Sequence, residues 1–190
     1  SGSYVFVTGG LTLNSPATLS GGALYFTGTQ SLLGDGPVVF DGTNNYVYQY
    51  PGGTLTIGPD MTIHGQSGTI GQGGGAFVNQ GVILAEVSGQ TITLSGTNWD
   101  NQGTIEAVDG AKLVLSGTSW SNSSQVEASG NSELTLSGSF TNNGTISATG
   151  GSHSLGNGGA WTNAATITTS GSTLTMGGTW TNSGTIDAQT

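Results

Sequence analysis

A nine-residue phrase recurs along the second half of the chain, and this repeat constrains the fold more than any other feature. It reads FVNQGVILA at 77–85, WDNQGTIEA at 99–107, WSNSSQVEA at 120–128, FTNNGTISA at 140–148, WTNAATITT at 161–169 and WTNSGTIDA at 180–188. The aromatic residues that head successive copies are 19 to 22 residues apart. A fixed period of this length is typical of stacked repeat proteins, in which each repeat contacts only its neighbours.

Four positions of the phrase keep their chemical character in every copy. An aromatic residue opens each copy, at Phe77, Trp99, Trp120, Phe140, Trp161 and Trp180. An asparagine follows two residues later, at Asn79, Asn101, Asn122, Asn142, Asn163 and Asn182. A β-branched aliphatic residue stands six positions after the aromatic, at Ile83, Ile105, Val126, Ile146, Ile167 and Ile186. A small residue stands two positions further on, at Ala85, Ala107, Ala128, Ala148, Thr169 and Ala188.

The spacing of these positions favours β-strands over helices. Apolar and polar residues alternate with period two, and the abundant Gly, Ser, Thr and Asn all disfavour helix. We therefore predict an all-β fold, a parallel β-solenoid with coils of about 20 residues, each with two or three short strands. Equivalent residues of successive coils would lie about 4.8 Å apart and form columns along the axis of the solenoid. In this interpretation the aromatic column fills the core and the asparagine column supports a turn, so both are structural.

The chain divides into two parts by regularity. Residues 76–190 are predicted to form the regular solenoid repeats. Residues 1–75 contain short strand candidates such as YVFV, ALYF and YVYQY, separated by glycine-rich turns. We interpret this first part as irregular N-terminal β-coils that serve as a cap or as a region joining subunits.

The composition excludes several classes of function. The chain has one Lys, no Arg and a net charge of -9. Binding to nucleic acid, or to an anionic membrane surface, depends on many cationic side chains, so neither is expected. No apolar run is long enough to insert into a membrane, and no Cys is present for a disulfide or a thiolate metal site. We predict no cofactor and no catalytic residues, since no catalytic or phosphate-binding motif occurs.

The repeats resemble those of a known class of proteins. GTLTI, FVNQGVILA, FTNNGTISA and WTNSGTIDA are similar to the repeats of bacterial extracellular β-helical proteins, namely autotransporter passengers and filamentous-haemagglutinin-like surface adhesins. The resemblance covers residues 53–190 best. It implies a right-handed parallel β-helix, an extracellular or cell-surface location, and a role in adhesion or as a surface scaffold. It implies no catalytic residues.

These observations lead to one principal expectation. We expect a non-catalytic extracellular structural protein, a β-solenoid rod that acts as a fibre subunit or as a stalk or adhesin segment on a bacterial surface. The sequence ends directly after a full copy of the repeat, which predicts an open sheet edge. The expected partners are therefore other copies, joined head to tail through the terminal coils, or neighbouring repeats of a longer chain.

The alternative class is a surface-binding module that uses a flat face of the solenoid. The aromatic column could serve as a glycan platform if it were exposed. A row of threonines could bind ice or polysaccharide, although Gln125 interrupts it; its members are Thr104, Thr145, Thr166 and Thr185. Glycan is thus a second candidate partner.

Two further features are weighed as candidate sites. Glu106 and Glu127 occupy the same repeat position and should lie on neighbouring coils, where they could form a weak cation site. The same pair could act as the two carboxylates of a polysaccharide-degrading enzyme, which is the least favoured reading. His153 occupies a position where other copies carry an inward aliphatic residue, and we expect it to lie at the surface or to be hydrogen-bonded locally.

Overall fold

The chain folds into a β-solenoid whose coils each contribute one strand to each of three sheets. The computed structural model describes residues 2–72 and 74–190, and all regular elements within these ranges are β-strands. Each sheet contains nine strands. The predicted fold class, an all-β parallel β-solenoid with coils of about 20 residues, is confirmed, and each coil has three strands.

The strands are numbered in chain order, three to a coil. Coils 1 to 3 contain β1 (Tyr4–Val7), β2 (Leu11–Thr12), β3 (Ala17–Ser20), β4 (Ala23–Phe26), β5 (Gln30–Leu33), β6 (Val38–Asp41), β7 (Asn45–Gln49), β8 (Thr54–Ile57) and β9 (Thr62–Gly65). Coils 4 to 6 contain β10 (Gly68–Ile70), β11 (Ala76–Asn79), β12 (Val82–Ala85), β13 (Thr91–Thr97), β14 (Asp100–Asn101), β15 (Thr104–Ala107), β16 (Lys112–Thr118), β17 (Trp120–Asn122) and β18 (Gln125–Ala128). Coils 7 to 9 contain β19 (Glu133–Ser137), β20 (Phe140–Asn142), β21 (Thr145–Thr149), β22 (Ser152–Asn157), β23 (Ala160–Asn163), β24 (Thr166–Ser170), β25 (Thr173–Met176), β26 (Thr179–Asn182) and β27 (Thr185–Gln189).

Each strand pairs in parallel with the equivalent strand one coil away, three places along the chain. Sheet A begins with β1, sheet B with β2 and sheet C with β3, and each continues to the ninth coil. Corresponding residues are in register, so that Ile83 pairs with Ile105, and Ile105 pairs with Val126. The repeat of the sequence is therefore converted directly into columns of like residues along the axis.

The core runs through the middle of the solenoid and receives one column or more from each sheet. Sheet A supplies aliphatic side chains such as Leu94 and Leu115, and sheet C supplies Ile105 and Val126, all fully buried. The column of sheet B supplies most of the large aromatic rings, and Phe26 of sheet A and Phe40 of sheet C add two more. Because alternate residues of each strand point inward, a continuous apolar core forms while polar residues cover the outer faces.

The first three coils belong to the same three sheets as the later ones. They differ from the later coils in the side chains that occupy the inward-facing columns. Leu11, Leu32 and Ile57 occupy the column in which Asn79 and the later asparagines stand. The less regular sequence of residues 2–72 therefore builds the same architecture with different side chains at the inward positions.

Candidate functional site

The aromatic column of sheet B is buried over most of its length. The six rings stack with centroid separations between 4.4 and 5.5 Å and interplanar angles of at most 19°. Only Trp180, on the last coil, is substantially exposed, at 42%. The indole N–H of Trp120 donates to the carbonyl of Ser137 at 2.9 Å, which ties the ring to the next coil. Buried in this way, the rings from Phe77 to Trp161 fill the core. Trp120, Phe140 and Trp161 are each at most 4% exposed, although they lie beside a groove of about 400 Å³ that also includes Trp180.

The asparagine column forms a hydrogen-bonded ladder with a single direction. The Nδ2 of Asn101 donates to the Oδ1 of Asn122 at 2.8 Å, and Asn122 donates to Asn142 at 2.9 Å. The amides from Asn79 to Asn163 also donate to a main-chain carbonyl of the next coil, as Asn122 does to Thr145. The ladder starts at Asn79, whose Oδ1 is buried without a hydrogen-bond partner among the described residues. The amides therefore join successive coils at the turn between sheets B and C.

The candidate acidic pair lies on the outer face of sheet C. Glu106 and Glu127 are in register on β15 and β18, and both side chains are half-buried. Gln125, on the same strand, donates its amide to the Glu127 carboxylate. Within the described ranges, no three His, Cys, Asp or Glu side chains come together in a group that could hold a metal ion. The structure thus supplies two neighbouring carboxylates without the further ligands that Ca²⁺ usually takes.

The threonine row also lies on the outer face of sheet C. Thr104, Gln125, Thr145, Thr166 and Thr185 are in register on successive coils. The glutamine places a longer side chain in the middle of the row, so the hydroxyl surface is regular only over the last three coils.

An exposed aromatic surface occurs at the other end of the molecule, on sheet A. We call it the tyrosine patch, and its members are Tyr4, Phe6, Tyr25, Tyr46, Tyr48 and Tyr50 on the first three coils. The Phe6 ring stacks on Tyr25 at 5.1 Å, and Tyr25 lies 5.1 Å from Tyr48. The patch is open to solvent, since Tyr4 is 59% and Phe6 63% exposed.

The patch arises because the strand period places aromatic residues on the outer face. In β7, Val47 points into the core, whereas Tyr46 and Tyr48 on either side of it are only half-buried. Tyr25 lies in the same column as Phe6 and Tyr48, since these residues pair across β1, β4 and β7. Three successive coils therefore align their outward rings.

The strands that carry and adjoin the tyrosine patch are uncharged. None of β1, β4, β7 and β10 contains a carboxylate or an amine side chain. Burial, followed by the neighbouring Tyr4, Tyr50, Tyr48 and Tyr46 hydroxyls, raises the pKa of Tyr25 above its usual 10.0. That phenol therefore stays protonated and can donate a hydrogen bond.

Two clefts adjoin the patch along the axis of the solenoid. The first, of about 520 Å³, is lined by Gly2, Tyr4, Ser20, Gly21, Asn44 and Tyr46. In the register of sheet A, Ala23 lies between Tyr4 and Tyr46 and is fully buried, so these two residues of the patch are the ones that line the cleft. The second, of about 240 Å³, lies on the other side of Tyr46 and reaches Thr69, Thr91 and Thr93. The Tyr46 ring thus separates two clefts that are both lined by hydroxyl groups.

Sequence reasoning did not identify this patch. YVFV, ALYF and YVYQY are recognisable as strands, but their outward rings can be aligned only when the register between coils is known. The signal available in the sequence was the placement of Tyr46 and Tyr48 on either side of Val47, which puts two rings on the face opposite the core.

Two histidines have separate environments. His153 stands between Leu134 and Leu174 in the inward column of sheet A and is 2% exposed. Its Nε2 lies 2.6 Å from the carbonyl of Gly150, and burial lowers its pKa below 6.5. His64 is on the outer face of sheet C, where its Nδ1 lies 2.6 Å from a carboxylate oxygen of Glu86. The two rings belong to different sheets and share no site.

The described residues contain no helix that is long and apolar enough to cross a membrane. No protein-family model matches the chain, and neither a curated protein nor a solved structure is significantly similar to it.

Proposed function

We propose that this chain is a non-catalytic structural protein, a β-solenoid rod that acts outside the cell as a fibre subunit or as a stalk or adhesin segment of a bacterial surface. The observation that carries the proposal is the uninterrupted stacking of nine coils in three sheets. At about 4.8 Å per coil the rod is about 40 Å long. Such a rod spaces apart whatever is attached to its two ends.

The columns inside the rod support a mechanical role. The Trp99 and Trp120 rings are 4.6 Å apart and nearly parallel, and the asparagine ladder adds directed hydrogen bonds beside them. Each coil is thus held to the next by main-chain hydrogen bonds, ring stacking and side-chain amides together. In such repeat arrays stability grows with each added neighbour interface.

The composition fits an extracellular location. Lys112 is the only basic side chain that trypsin recognises, and its ammonium pairs with Glu133 at 2.9 Å. A chain with one such site is protected against trypsin-like proteases in its surroundings. Labelling of intact source cells with an antibody against the rod would test this location; signal only after permeabilisation would contradict it.

The two end coils offer sheet edges through which the rod could be extended. Within the described residues, β1 to β3 and β25 to β27 have a paired neighbour on one side only. Such edges accept further strands. We propose that neighbouring repeats of a longer chain, or a second copy stacked head to tail, occupy them.

The two occupants differ in how they would meet the asparagine ladder. Asn163 donates to Asn182 at 2.7 Å, and the Asn182 amide faces the open edge. A coil of the aromatic–x–Asn type would continue the ladder there. The first coil of a second copy would instead place Leu11 in that column, so the row of amides would stop at the junction.

Negative-stain electron microscopy over a concentration series tests the proposal. Filaments of constant width that lengthen with concentration would identify a fibre subunit. Single rods about 40 Å long at every concentration would identify a stalk or adhesin segment. Globular particles, or aggregates without a defined width, would contradict the rod proposal itself.

The catalytic alternative is tested separately with the acidic pair. Neutral and acidic polysaccharides are incubated with the protein and with the Glu106→Gln and Glu127→Gln variants. We expect no release of reducing ends by any of the three. Hydrolysis by the unmodified chain that either substitution abolishes would overturn the non-catalytic assignment.

A further inference from the structure

We propose that the tyrosine patch and its two clefts form a binding site for a neutral glycan chain. The inference goes beyond the structural role, since a rod needs no exposed rings. It rests on three observations: the arrangement of the rings, the chemistry of the cleft walls, and the direction in which the clefts are joined.

The rings present the kind of surface that a pyranose sugar matches. A pyranose has C–H groups on its faces and hydroxyl groups around its edge. Tyr4 and Tyr46 flank the first cleft, and Tyr25 and Tyr48 continue the aromatic surface beside it. Aromatic faces with a few polar groups at their rim are the usual composition of small-molecule sites.

The polar groups at the rim are neutral and suited to hydroxyl partners. Ser20 and Asn44 line the first cleft, and Thr69, Thr91 and Thr93 line the second. One carboxylate lies close by, since the Ser20 hydroxyl donates to Asp41 at 2.9 Å. That carboxylate and the net charge of -9 would repel an acidic polysaccharide. The site therefore selects for neutral sugars.

The shape of the site favours a chain over a compact ligand. Tyr4 and Tyr46 lie two coils apart, about 10 Å, and the second cleft continues in the same direction. The rings contact one another with centroids 5.0 to 5.7 Å apart, and only Tyr4 and Tyr46 among them line the clefts, so the rings do not enclose a common cavity. A quaternary ammonium ion would need the enclosing arrangement.

A second copy of the chain is a less suitable occupant. Two patches brought face to face would also bring together two molecules that each carry a net charge of -9. Their like charge opposes such a contact, which, unlike head-to-tail stacking of the end coils, gains no main-chain pairing between sheet edges in return. Self-association through the patch is therefore treated as an outcome of the test.

The test measures binding of defined oligosaccharides to the full 190-residue chain by isothermal titration calorimetry and saturation-transfer NMR. The probes are cellohexaose, mannohexaose and chitohexaose, with hexagalacturonate as the anionic comparator and choline chloride as the cationic one. We expect at least one neutral hexasaccharide to bind and to receive magnetisation from tyrosine ring protons. Tryptophan emission should not change, since the patch contains no Trp.

Three variants locate the site. Tyr46→Ala should weaken binding by about 10-fold or more, because it removes the ring between the clefts. Tyr46→Phe keeps the ring and should bind more tightly than Tyr46→Ala. Trp180→Ala removes an exposed ring at the opposite end of the rod and should bind as the unmodified chain does. Circular dichroism verifies that each variant is folded.

Several results would overturn the proposal. These are binding of none of the neutral probes at millimolar concentration, equal affinity of Tyr46→Ala and the unmodified chain, and stronger binding of choline or of hexagalacturonate. If light scattering detects a dimer of the unmodified chain and only a monomer of the Tyr46→Ala variant, the patch mediates self-association. None of these results would affect the rod proposal, which depends on particle shape alone.

Discussion

Individual residues in this protein act through their columns, so the effect of a substitution depends on what stands directly above and below. Asn122 illustrates this dependence. Its side chain accepts a hydrogen bond from Asn101, donates one to Asn142, and is fully buried. A single side chain thus satisfies polar atoms on two other coils.

Asn122→Ala should destabilise the chain by about 3 kcal/mol, because a buried donor on one neighbour and a buried acceptor on the other lose their partner. Chemical denaturation followed by far-UV circular dichroism measures the change. Asn182→Ala is the matched control, since Asn182 is exposed at the end of the same ladder and should cost much less. Equal losses from the two substitutions would show that the ladder does not couple the coils.

His153 is a buried ionisable group in an otherwise aliphatic column, and its effect should depend on pH. Its pKa is lowered in the folded chain by burial, against a weaker opposing effect of its hydrogen bond to Gly150. The unfolded chain therefore binds a proton more readily, and the stability that the neutral ring contributes is present above pH 6.5 and is lost as pH falls through the folded pKa.

The His153→Leu variant matches its column neighbours Leu134 and Leu174 and removes this titration. Relative to the variant, the unmodified chain should lose stability as pH falls from about 7.5 to 5, because its unfolded state takes up a proton more readily than its folded state does. Thermal unfolding of both proteins across this range measures the difference. A difference that is constant with pH would contradict the assignment.

At the scale of elements, the corners between strands depend on close approach of one coil to the next. Gly117, near the end of β16, has φ of 127° and is in register with Gly96 of β13. A Cβ on Gly117 would collide with the carbonyl oxygen of Gly96. The corner between sheets A and B can therefore accept only glycine at this position.

Gly117→Ala should destabilise the solenoid by at least about 3 kcal/mol, since it adds a backbone clash to an unfavourable φ. Gly89→Ala is the control: Gly89 also has a positive φ, 72°, but no atom lies within 4 Å of the added carbon. It should cost only about 1–2 kcal/mol. Comparing the unfolding midpoints of the two variants separates the effect of the clash from the effect of the positive φ. A similar loss of stability in both variants would mean that the clash is relieved without cost.

The sequence predicts the elements of the later coils better than those of the first three. From Phe77 onward the repeat itself aligns one coil with the next, so the strand period is enough to assign inward residues. In the first three coils no such phrase exists, and Leu32 and Ile57 take the place of asparagine. The tyrosine patch could not be predicted for this reason, because its rings are aligned by a register that only the three-dimensional structure provides.

The whole molecule behaves as a stack whose length is set by the number of coils. Residues 112–132 form one such unit, because Lys112 is in register with Glu133. Removing them joins Ala111 to Glu133 and lets β13 pair with β19. Because every strand then meets an equivalent strand, the shortened chain should keep its fold.

We expect the chain that lacks residues 112–132 to give the same circular dichroism per residue, to be about 4.8 Å shorter by small-angle X-ray scattering, and to unfold cooperatively at a lower temperature. The control removes residues 112–121, about half a coil, and brings inward and outward residues of different sheets into the same column. That variant should aggregate or fail to fold, because no register satisfies both the core and the sheet hydrogen bonds. If both deletions folded equally well, coil register would not determine the stability of the rod, and a stalk whose length is adjusted by whole coils would lose its physical basis.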